Sequence, residues 1–185
     1  MLALMIFFLN TLNAGIQQHL IPYLTDIGHS ATFAANIMAL YLGMTVAGKL
    51  ILGQITDKRG LTEGLMLFSA ILGAGIGILF GANLALVAVL FGIVYGVGNA
   101  LLTVMPPLMT AECAGLKHFA SIYGIMAIFQ TLGAGLGMPL SGYLFDWRGD
   151  YYLSFWLYIL MAASAAACGF WALRGKKSFP VQSYQ

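Results

Sequence analysis

The sequence carries very little charge. Asp, Glu, Lys and Arg make up 8% of its 185 residues, whereas soluble domains average about 25%. Hydrophobic residues make up 61% and the mean hydropathy is +0.89, and almost every charge lies in a short junction between long apolar runs. A soluble globular domain is therefore excluded. The net charge of +2 is too small to indicate a nucleic-acid partner.

Cysteine and histidine are also scarce. Two cysteines, Cys113 and Cys168, are too few for a disulfide framework. The three histidines, His19, His29 and His118, are assigned to different junctions and have no metal-ligand spacing. We therefore predict no metal site and no cofactor.

Several motifs of catalysis and conduction are missing. The sequence has no nucleotide-binding loop of the G-x-x-x-x-G-K-[ST] type, no twin Asn-Pro-Ala motif, no arginine-periodic voltage sensor and no carbonyl filter. Ser141 would need a histidine in the same membrane core to act as a nucleophile, and none is predicted there. The N-terminus lacks the basic region of a signal peptide, so we interpret its apolar run as a retained span. The sequence predicts a protein that is not an enzyme.

What the sequence has instead is six long apolar runs, each near the roughly 20 residues that cross a bilayer. The predicted spans are about 2–24, 31–56, 64–80, 84–111, 119–145 and 152–173. They predict an all-α membrane protein with no room for a soluble domain. The tandem prolines Pro106 and Pro107 are expected to bend or break span 4 near its cytoplasmic end, because proline removes a backbone donor.

One eight-residue pattern, G-x-Φ-x-D-x-R-G with Φ aliphatic, occurs twice where apolar runs end. Its fixed positions are Gly53, Asp57, Arg59 and Gly60 in the first copy and Gly142, Asp146, Arg148 and Gly149 in the second. The offset of 89 residues (142 minus 53) suggests two units of three spans, about 1–83 and 84–173. An odd number of spans per unit inverts the second unit in the membrane, as in secondary transporters. The alternative is that such turns recur by chance where helices meet water.

Three amides, Asn10, Asn13 and Gln17, share one face of span 1 because they lie at i, i+3 and i+7. Unpaired amides are costly in lipid, so this face must contact protein or water. Hydrogen bonds between helices and the lining of a polar cavity are both consistent with this pattern.

Span 2 contains Lys49, the only basic residue within an apolar run. Asp57 follows eight residues later, about 12 Å along a helix, and a lysine side chain recovers part of that distance by snorkelling. A charge near the bilayer centre costs at least about 2.5–3.5 kcal/mol, so it usually has a partner or a function. The alternatives are a lysine that snorkels to the headgroups and an anion-binding site.

Basic residues are distributed unequally between the two sets of junctions. The side that holds both predicted termini carries Lys58, Arg59, Lys117, Arg174, Lys176 and Lys177, and the other side carries only Arg148. By the positive-inside rule, we expect both termini in the cytoplasm, with a polar tail at 174–185. We expect a multi-pass protein of a bacterial inner (cell) membrane.

These motifs resemble those of a known family. The segment from Gly53 to Gly60 resembles the loop signature of the major facilitator superfamily, as it appears between spans eight and nine. The span 5 pattern Gly133-x-Gly135-x-Gly137-x-Pro139-x-x-Gly142-x-x-x-Asp146 resembles the eleventh span. The chain resembles the carboxy-terminal six-helix half, spans seven to twelve, and is most similar to the monocarboxylate porters and their oxalate:formate antiporter relatives.

The resemblance implies a role for Lys49. The family places a cationic residue in span eight, four residues before the glycine of the loop motif, and Lys49 stands four before Gly53. Lys49 would therefore meet a substrate carboxylate. The family usually has arginine there, so lysine would supply a point charge in place of a bidentate fork. Proton-coupled members have an acidic residue one turn earlier, where this chain has Thr45.

The resemblance also implies a cavity lined by the first, second, fourth and fifth spans. The polar residues of the predicted spans lie in these four: Asn10, Asn13, Gln17, Lys49, Asn99, Thr103 and Gln130. Asp57 and Arg59 would form a cytoplasmic latch, although both could simply end helices.

The predicted function is half of a secondary active transporter, an antiporter or symporter, that moves small mono- or dicarboxylates by alternating access. Its partners would be the lipid bilayer, a small organic anion, and either the missing amino-terminal half or a second copy. The alternative is a non-transporting membrane interaction or assembly protein, such as a truncated carrier half.

Overall fold

The protein folds as a bundle of helices. In the computed structural model, which describes residues 1–175, every regular element is helical. The α-helices are α1 (Leu2–Asp26), α2 (Ala31–Arg59), α3 (Leu61–Ile78), α4 (Ala85–Asn99), α5 (Leu101–Ala114), α6 (Phe119–Arg148) and α7 (Tyr152–Arg174). Short 3-10 turns, Leu79–Gly81 and Leu116–His118, precede α4 and α6. The predicted all-α class is confirmed, and most of the predicted tail lies outside the described residues.

Five segments are long and apolar enough to cross a membrane. They are α2, α3 with its 3-10 turn, α4 together with α5, α6 with the turn before it, and α7. The chain is thus a multi-pass membrane protein. α1 has 25 residues, which is sufficient length, but it is not among the five because Asn10, Asn13 and Gln17 lower its hydropathy.

The interruption in predicted span 4 does not lie at the tandem prolines. Pro106 and Pro107 are inside α5, and the helix is interrupted at Ala100. The Ala100 N–H bonds to Val97 O, three residues back, at 3.3 Å, while its φ of −55° and ψ of −27° stay helical. A proline ring crowds the carbonyl four residues before it, which is Leu102 for Pro106, so Ala100 lies outside the turn that the prolines disturb directly. The interruption is a local tightening, displaced from the position that the sequence indicated.

Successive spans run in opposite directions when α4 and α5 are counted as one span. Gly133 of α6 packs on Phe7 of α1. Four residues later, Gly137 packs on Thr11, so the numbers rise together and α1 and α6 are parallel. The contacts between α2 and α4 show by the same reasoning that these two helices are parallel. In the contacts of α3 with α4 and of α1 with α7 one residue number rises as the other falls, so these pairs are antiparallel. The bundle therefore has α1, α3 and α6 in one direction and α2, α4–α5 and α7 in the other.

This alternation defines two ends of the bundle, which we call end A and end B. End A holds the start of α1, the α2–α3 and α5–α6 junctions and the end of α7, and Arg59, Glu112 and Leu173 line one cavity there. End B holds the other three junctions, where the Tyr23 hydroxyl donates to Leu79 O at 2.6 Å. The two copies of the repeated motif thus end α2 at end A and α6 at end B.

Two glycines set the closest helix contacts. A Cβ added at Gly137 would overlap the Thr11 carbonyl oxygen of α1, and a Cβ at Gly48 would overlap the Val97 carbonyl oxygen of α4. Helical backbones approach this closely only where a side chain is missing. Gly48 and Gly137 are themselves separated by 89 residues (137 minus 48), the offset of the repeated motif.

α6 packs through a very narrow face. Its buried residues are Gly133, Gly137 and Ser141, all directed at α1 or its neighbours. α2 likewise exposes large apolar side chains, among them Val46 and Leu50, more than 60% of each being accessible. α2 and α6 therefore leave most of their surface for lipid or another protein.

Candidate functional site

A network of polar side chains connects α1, α2 and α4 near the middle of the bundle. The Tyr95 hydroxyl donates to Asn13 Oδ1 at 3.1 Å, and the Tyr41 hydroxyl reaches the same oxygen at 3.4 Å. Asn99 Nδ2 donates to the Tyr41 oxygen and to Thr45 Oγ1, both at 3.4 Å and near the outer limit for a hydrogen bond. We call these five residues the central network.

Residue spacing brings the central network together. Tyr41 and Thr45 lie four residues apart on α2, so they occupy one helical face. Tyr95 and Asn99 do the same on α4. The two helices are parallel and approach closely at Gly96, where a Cβ would lie 2.6 Å from the Tyr41 carbonyl oxygen. Two ladders of polar side chains therefore face each other at the same height.

Asn99 is not fully satisfied. Its side chain is 7% exposed, and Oδ1 has no hydrogen-bond partner within residues 1–175. An unmade hydrogen bond at a buried polar atom costs about 1–3 kcal/mol. Asn99 is the last residue of α4, directly before the interruption at Ala100, and the exposed Thr103 follows one turn later. The network thus retains an acceptor beside the one irregular point of the α4–α5 segment.

Lys49 lies one helical turn beyond Thr45, so the network and the lysine follow the same side of α2. Its side chain is exposed. In the part of the chain that the structure describes, no carboxylate forms an ion pair with it. Asp57, the neighbour expected for a snorkelling lysine, is not bonded to it. Lys49 as an anion anchor stays a prediction.

Among residues 1–175, no hydrogen bond connects the other predicted binding residues to the central network. Asn10 is buried, and its Nδ2 donates to Ile6 O at 2.8 Å within its own helix. Gln17 of α1 and Gln130 of α6 are half-buried. Of the predicted amides, the structure joins only Asn13 and Asn99, through Tyr41.

The motif residues lie at opposite ends. Asp57 and Arg59 are exposed at end A, whereas Asp146 and Arg148 are exposed at end B. Arg148 Nε lies 3.8 Å from a carboxylate oxygen of Asp150, and such exposed pairs contribute about 0–1 kcal/mol. The latch assigned to Asp57 and Arg59 stays a prediction.

A second polar cluster lies nearer end B. The sequence assigned His19 to a junction, but this is wrong, because α1 continues seven residues beyond it. His19 Nε2 lies 3.1 Å from Met138 O of α6, and Nδ1 lies 3.3 Å from the Tyr151 hydroxyl in the α6–α7 junction. Ser141 hydrogen-bonds to Tyr158 beside them. This end-B cluster connects α1, α6 and α7.

Tyr41, Thr45 and Tyr95 are not among the predicted binding residues. A signal was present, because Tyr41, Thr45 and Lys49 repeat every four residues on one face of α2. Tyr95, Asn99 and Thr103 repeat the spacing on the next helix in the same direction.

Replacing Tyr41 by phenylalanine is expected to destabilise the protein by about 1–2 kcal/mol, because it removes one hydrogen-bond partner of Asn13 and one of Asn99. The measurement is thermal unfolding in detergent. The matched control is Tyr143→Phe, since Tyr143 is 70% exposed and its hydroxyl has no hydrogen bond in the described part of the chain. Equal midpoints for the two variants would show that the central network contributes nothing to stability.

The long apolar helices, the close glycine contacts and the polar side chains inside the bundle define a multi-pass membrane protein of the transporter type. The sequence model of the Major Facilitator Superfamily matches residues 3–183. The chain belongs to the Major Facilitator Superfamily.

The relatives of this chain agree with the predicted resemblance to monocarboxylate porters. The chain is 27% identical to monocarboxylate transporter 9 of Mus musculus over 124 residues, which are 65% of this chain and 24% of that protein. It is 27% identical to monocarboxylate transporter 13 of Rattus norvegicus over 139 residues, 74% of this chain and 32% of the relative. Monocarboxylate transporter 12-B of Danio rerio is 25% identical over 143 residues, 75% of this chain and 30% of the relative. The match thus spans less than a third of each relative.

Proposed function

We propose that this chain is one six-span half of a secondary transporter that moves small mono- or dicarboxylate anions by alternating access. A second six-helix half, from the same gene or a second copy, completes what we call the assembled carrier. The observation that carries the proposal is Lys49, a cation without an ion-pair partner among residues 1–175, within a helix of a major-facilitator chain. The relatives are named monocarboxylate transporters. A carboxylate is an anion that the ammonium group of Lys49 could bind.

Lys49 would act as the anchor for the carboxylate. A lysine ammonium is a compact point charge on a flexible stem, and low surrounding polarity strengthens its attraction for an anion. The central network begins one turn away, at Thr45. Asn13 and Asn99 would then line the path of the bound anion, with Gln17 and Gln130 as further polar lining and Asn10 stabilising the α1 backbone beside them.

The packing supports an inverted repeat of α1–α3 and α4–α7. In this repeat α1 corresponds to α4–α5, α2 to α6 and α3 to α7. The α1–α6 contact therefore corresponds to the contact between α4–α5 and α2, and in both contacts the two helices are parallel and close together. In the same way the α3–α4 contact corresponds to the α7–α1 contact, and the α3–α7 contact corresponds to itself. Gly48 of α2 and Gly137 of α6 occupy equivalent positions in the two units. Such repeats rock around a central site in alternating access.

End A would face the cytoplasm of a bacterial cell, with both termini there and α1 as the sixth span. Six basic residues against one favour this orientation. Single cysteines at Ser30 and Asp150 are expected to react with an impermeant reagent from outside intact cells, because both belong to end B. A cysteine at Glu63 is expected to react only after the membrane is opened. The reverse pattern would show that end B is cytoplasmic.

Uptake into vesicles tests the proposed function. The assembled carrier in proteoliposomes is expected to take up radiolabelled pyruvate, oxalate or succinate with saturation. Unlabelled carboxylates should compete, and the corresponding neutral amides should not, because they offer Lys49 no charge. A correctly inserted carrier without uptake of any of the three would favour the non-transporting assembly protein.

A further inference from the structure

The outer sides of α2 and α6 carry complementary rows of side chains. On α2, small residues recur every four positions on the exposed or half-buried side: Ala35, Ala39, Gly43 and Ala47. On α6, large apolar residues recur every four positions on the exposed or half-buried side: Ile128, Leu132, Leu136 and Leu140. Residues at this spacing form a continuous row along a helix. We call the first row the α2 groove and the second the α6 ridge.

Within one copy of the chain, the α2 groove is open and the α6 ridge is uncovered. No atom among residues 1–175 lies within 4 Å of a Cβ placed on Gly43. The side chains of Ile128, Leu132 and Leu136 are each more than half exposed. Lipid chains are as apolar as leucine, so helices associate in a membrane through close packing, which small residues permit. A ridge and a groove of the same spacing supply that packing.

We propose that the α6 ridge of one copy packs into the α2 groove of a second copy of this chain. The inference names the partner that the proposed function leaves open, and it rests on that function. The two copies are related by a two-fold axis along the membrane normal. The same axis brings the second ridge into the first groove, so two equal contacts close the dimer. Each copy then supplies one Lys49 to the assembled carrier.

The directions of the helices fix the register of the contact. α2 and α6 run in opposite directions within one copy, and the two-fold axis preserves these directions in the second copy. The two helices of the contact are therefore antiparallel. With both rows fully overlapped, the facing pairs are Ala35 with Leu140, Ala39 with Leu136, Gly43 with Leu132, and Ala47 with Ile128.

Charges at end A are complementary in this register. Asp57 lies ten residues beyond Ala47 on α2, and His118 lies ten residues before Ile128 on α6. Ten residues are close to three turns and about 15 Å, so Asp57 of one copy meets the start of α6 in the other. Lys117 lies there, and no side chain caps the first turn of α6. Asp57 is exposed and has no ion pair within the described residues. A carboxylate is stabilised beside a lysine and a helix N-terminus.

Disulfide cross-linking in the membrane tests the partner and the register. Two differently tagged copies are expressed together, one with Ala39→Cys and the other with Leu136→Cys. An oxidant is expected to produce a disulfide-linked dimer that carries both tags. The control pairs Ala39→Cys with Ile128→Cys, which lies eight residues or about 12 Å further along α6. It should give only the background of the native Cys113 and Cys168. Cross-linking through Ile128→Cys in place of Leu136→Cys would show a parallel contact and overturn the inference.

Light scattering of the purified chain in detergent measures the association itself. Wild type is expected to have a protein mass twice the 19.8 kDa of one chain. Gly43→Leu fills the groove and should reduce the mass to that of one chain. Adding Leu132→Ala to Gly43→Leu makes room opposite and should restore the dimer. Gly73→Leu is the matched control, because a Cβ on this glycine of α3 also meets no atom within 4 Å, and it should stay dimeric.

A wild-type protein with the mass of one chain would overturn the inference, as would a Gly43→Leu variant that stays dimeric. Equal loss of the dimer in Gly73→Leu would overturn it as well. Loss in Gly43→Leu that Leu132→Ala does not restore would also contradict it, because Gly43 would then act within one copy. A dimer that forms and cross-links as described but takes up no carboxylate would contradict the proposed function and leave the interface in place.

Discussion

Lys49→Gln is expected to reduce carboxylate uptake by the assembled carrier by about 10- to 150-fold. The change removes the cation of α2 but keeps a polar side chain of similar length. A hydrogen bond to a charged group contributes about 1.5–3 kcal/mol, which corresponds to this range. Lys49→Arg should retain part of the uptake, because the charge stays while the geometry changes. The measurement is the initial rate of labelled pyruvate uptake into proteoliposomes at equal protein.

Lys58→Gln is the matched control for Lys49. It removes one exposed lysine from the same helix, at end A and outside the predicted cavity. Uptake by Lys58→Gln should remain close to wild type, and both variants should reach the membrane in equal amounts. Near-normal uptake by Lys49→Gln would contradict the anion site and leave a carrier half whose substrate contacts lie elsewhere.

Gly137→Ala is expected to destabilise the protein by about 1–3 kcal/mol. The added Cβ would overlap the Thr11 carbonyl oxygen, and backbone atoms cannot turn aside as a side chain can. α1 and α6 would have to separate, and their contact is the most extensive in the bundle. Thermal unfolding in detergent measures the loss.

Gly135→Ala is the control in the same helix, two residues earlier. No atom lies within 4 Å of a Cβ placed there, and alanine favours a helix over glycine by up to about 1 kcal/mol. The two substitutions should therefore shift the unfolding temperature in opposite directions. Equal shifts would show that the α1–α6 contact is looser than the structure has it.

Apolar run length was sufficient to predict the helices, because a bilayer fixes the length of a span and leaves few alternatives. Ser30 begins α2 as an N-cap, its Oγ accepting from Phe33 N–H at 3.2 Å, close to where the sequence placed the start. The interruption at Ala100 was not predictable. It lies six residues before Pro106, outside the turn that the proline ring disturbs directly.

The candidate site was predictable in part. The spacing of Asn10 and Asn13 indicated a shared face, but it could not show that the Asn10 amide bonds to Ile6 O in its own helix. The role of Tyr41 depends on α1 and α4 meeting at one height, which the sequence of α2 does not contain. Predicted span 1 extended past His19, but the sequence could not show that α6 and the α6–α7 junction supply the partners of its ring.

The polarity of α1 has a consequence for the order in which the chain enters the membrane. Asn13 is bonded to Tyr41 and Tyr95, and His19 to groups near residues 138 and 151. The ribosome makes these partners after α1, the last of them more than a hundred residues later. During that interval α1 has polar side chains that lipid cannot satisfy. We therefore expect α1 to remain within a protein environment of the insertion machinery until α6 has been synthesised, and only then to take its place in the bilayer.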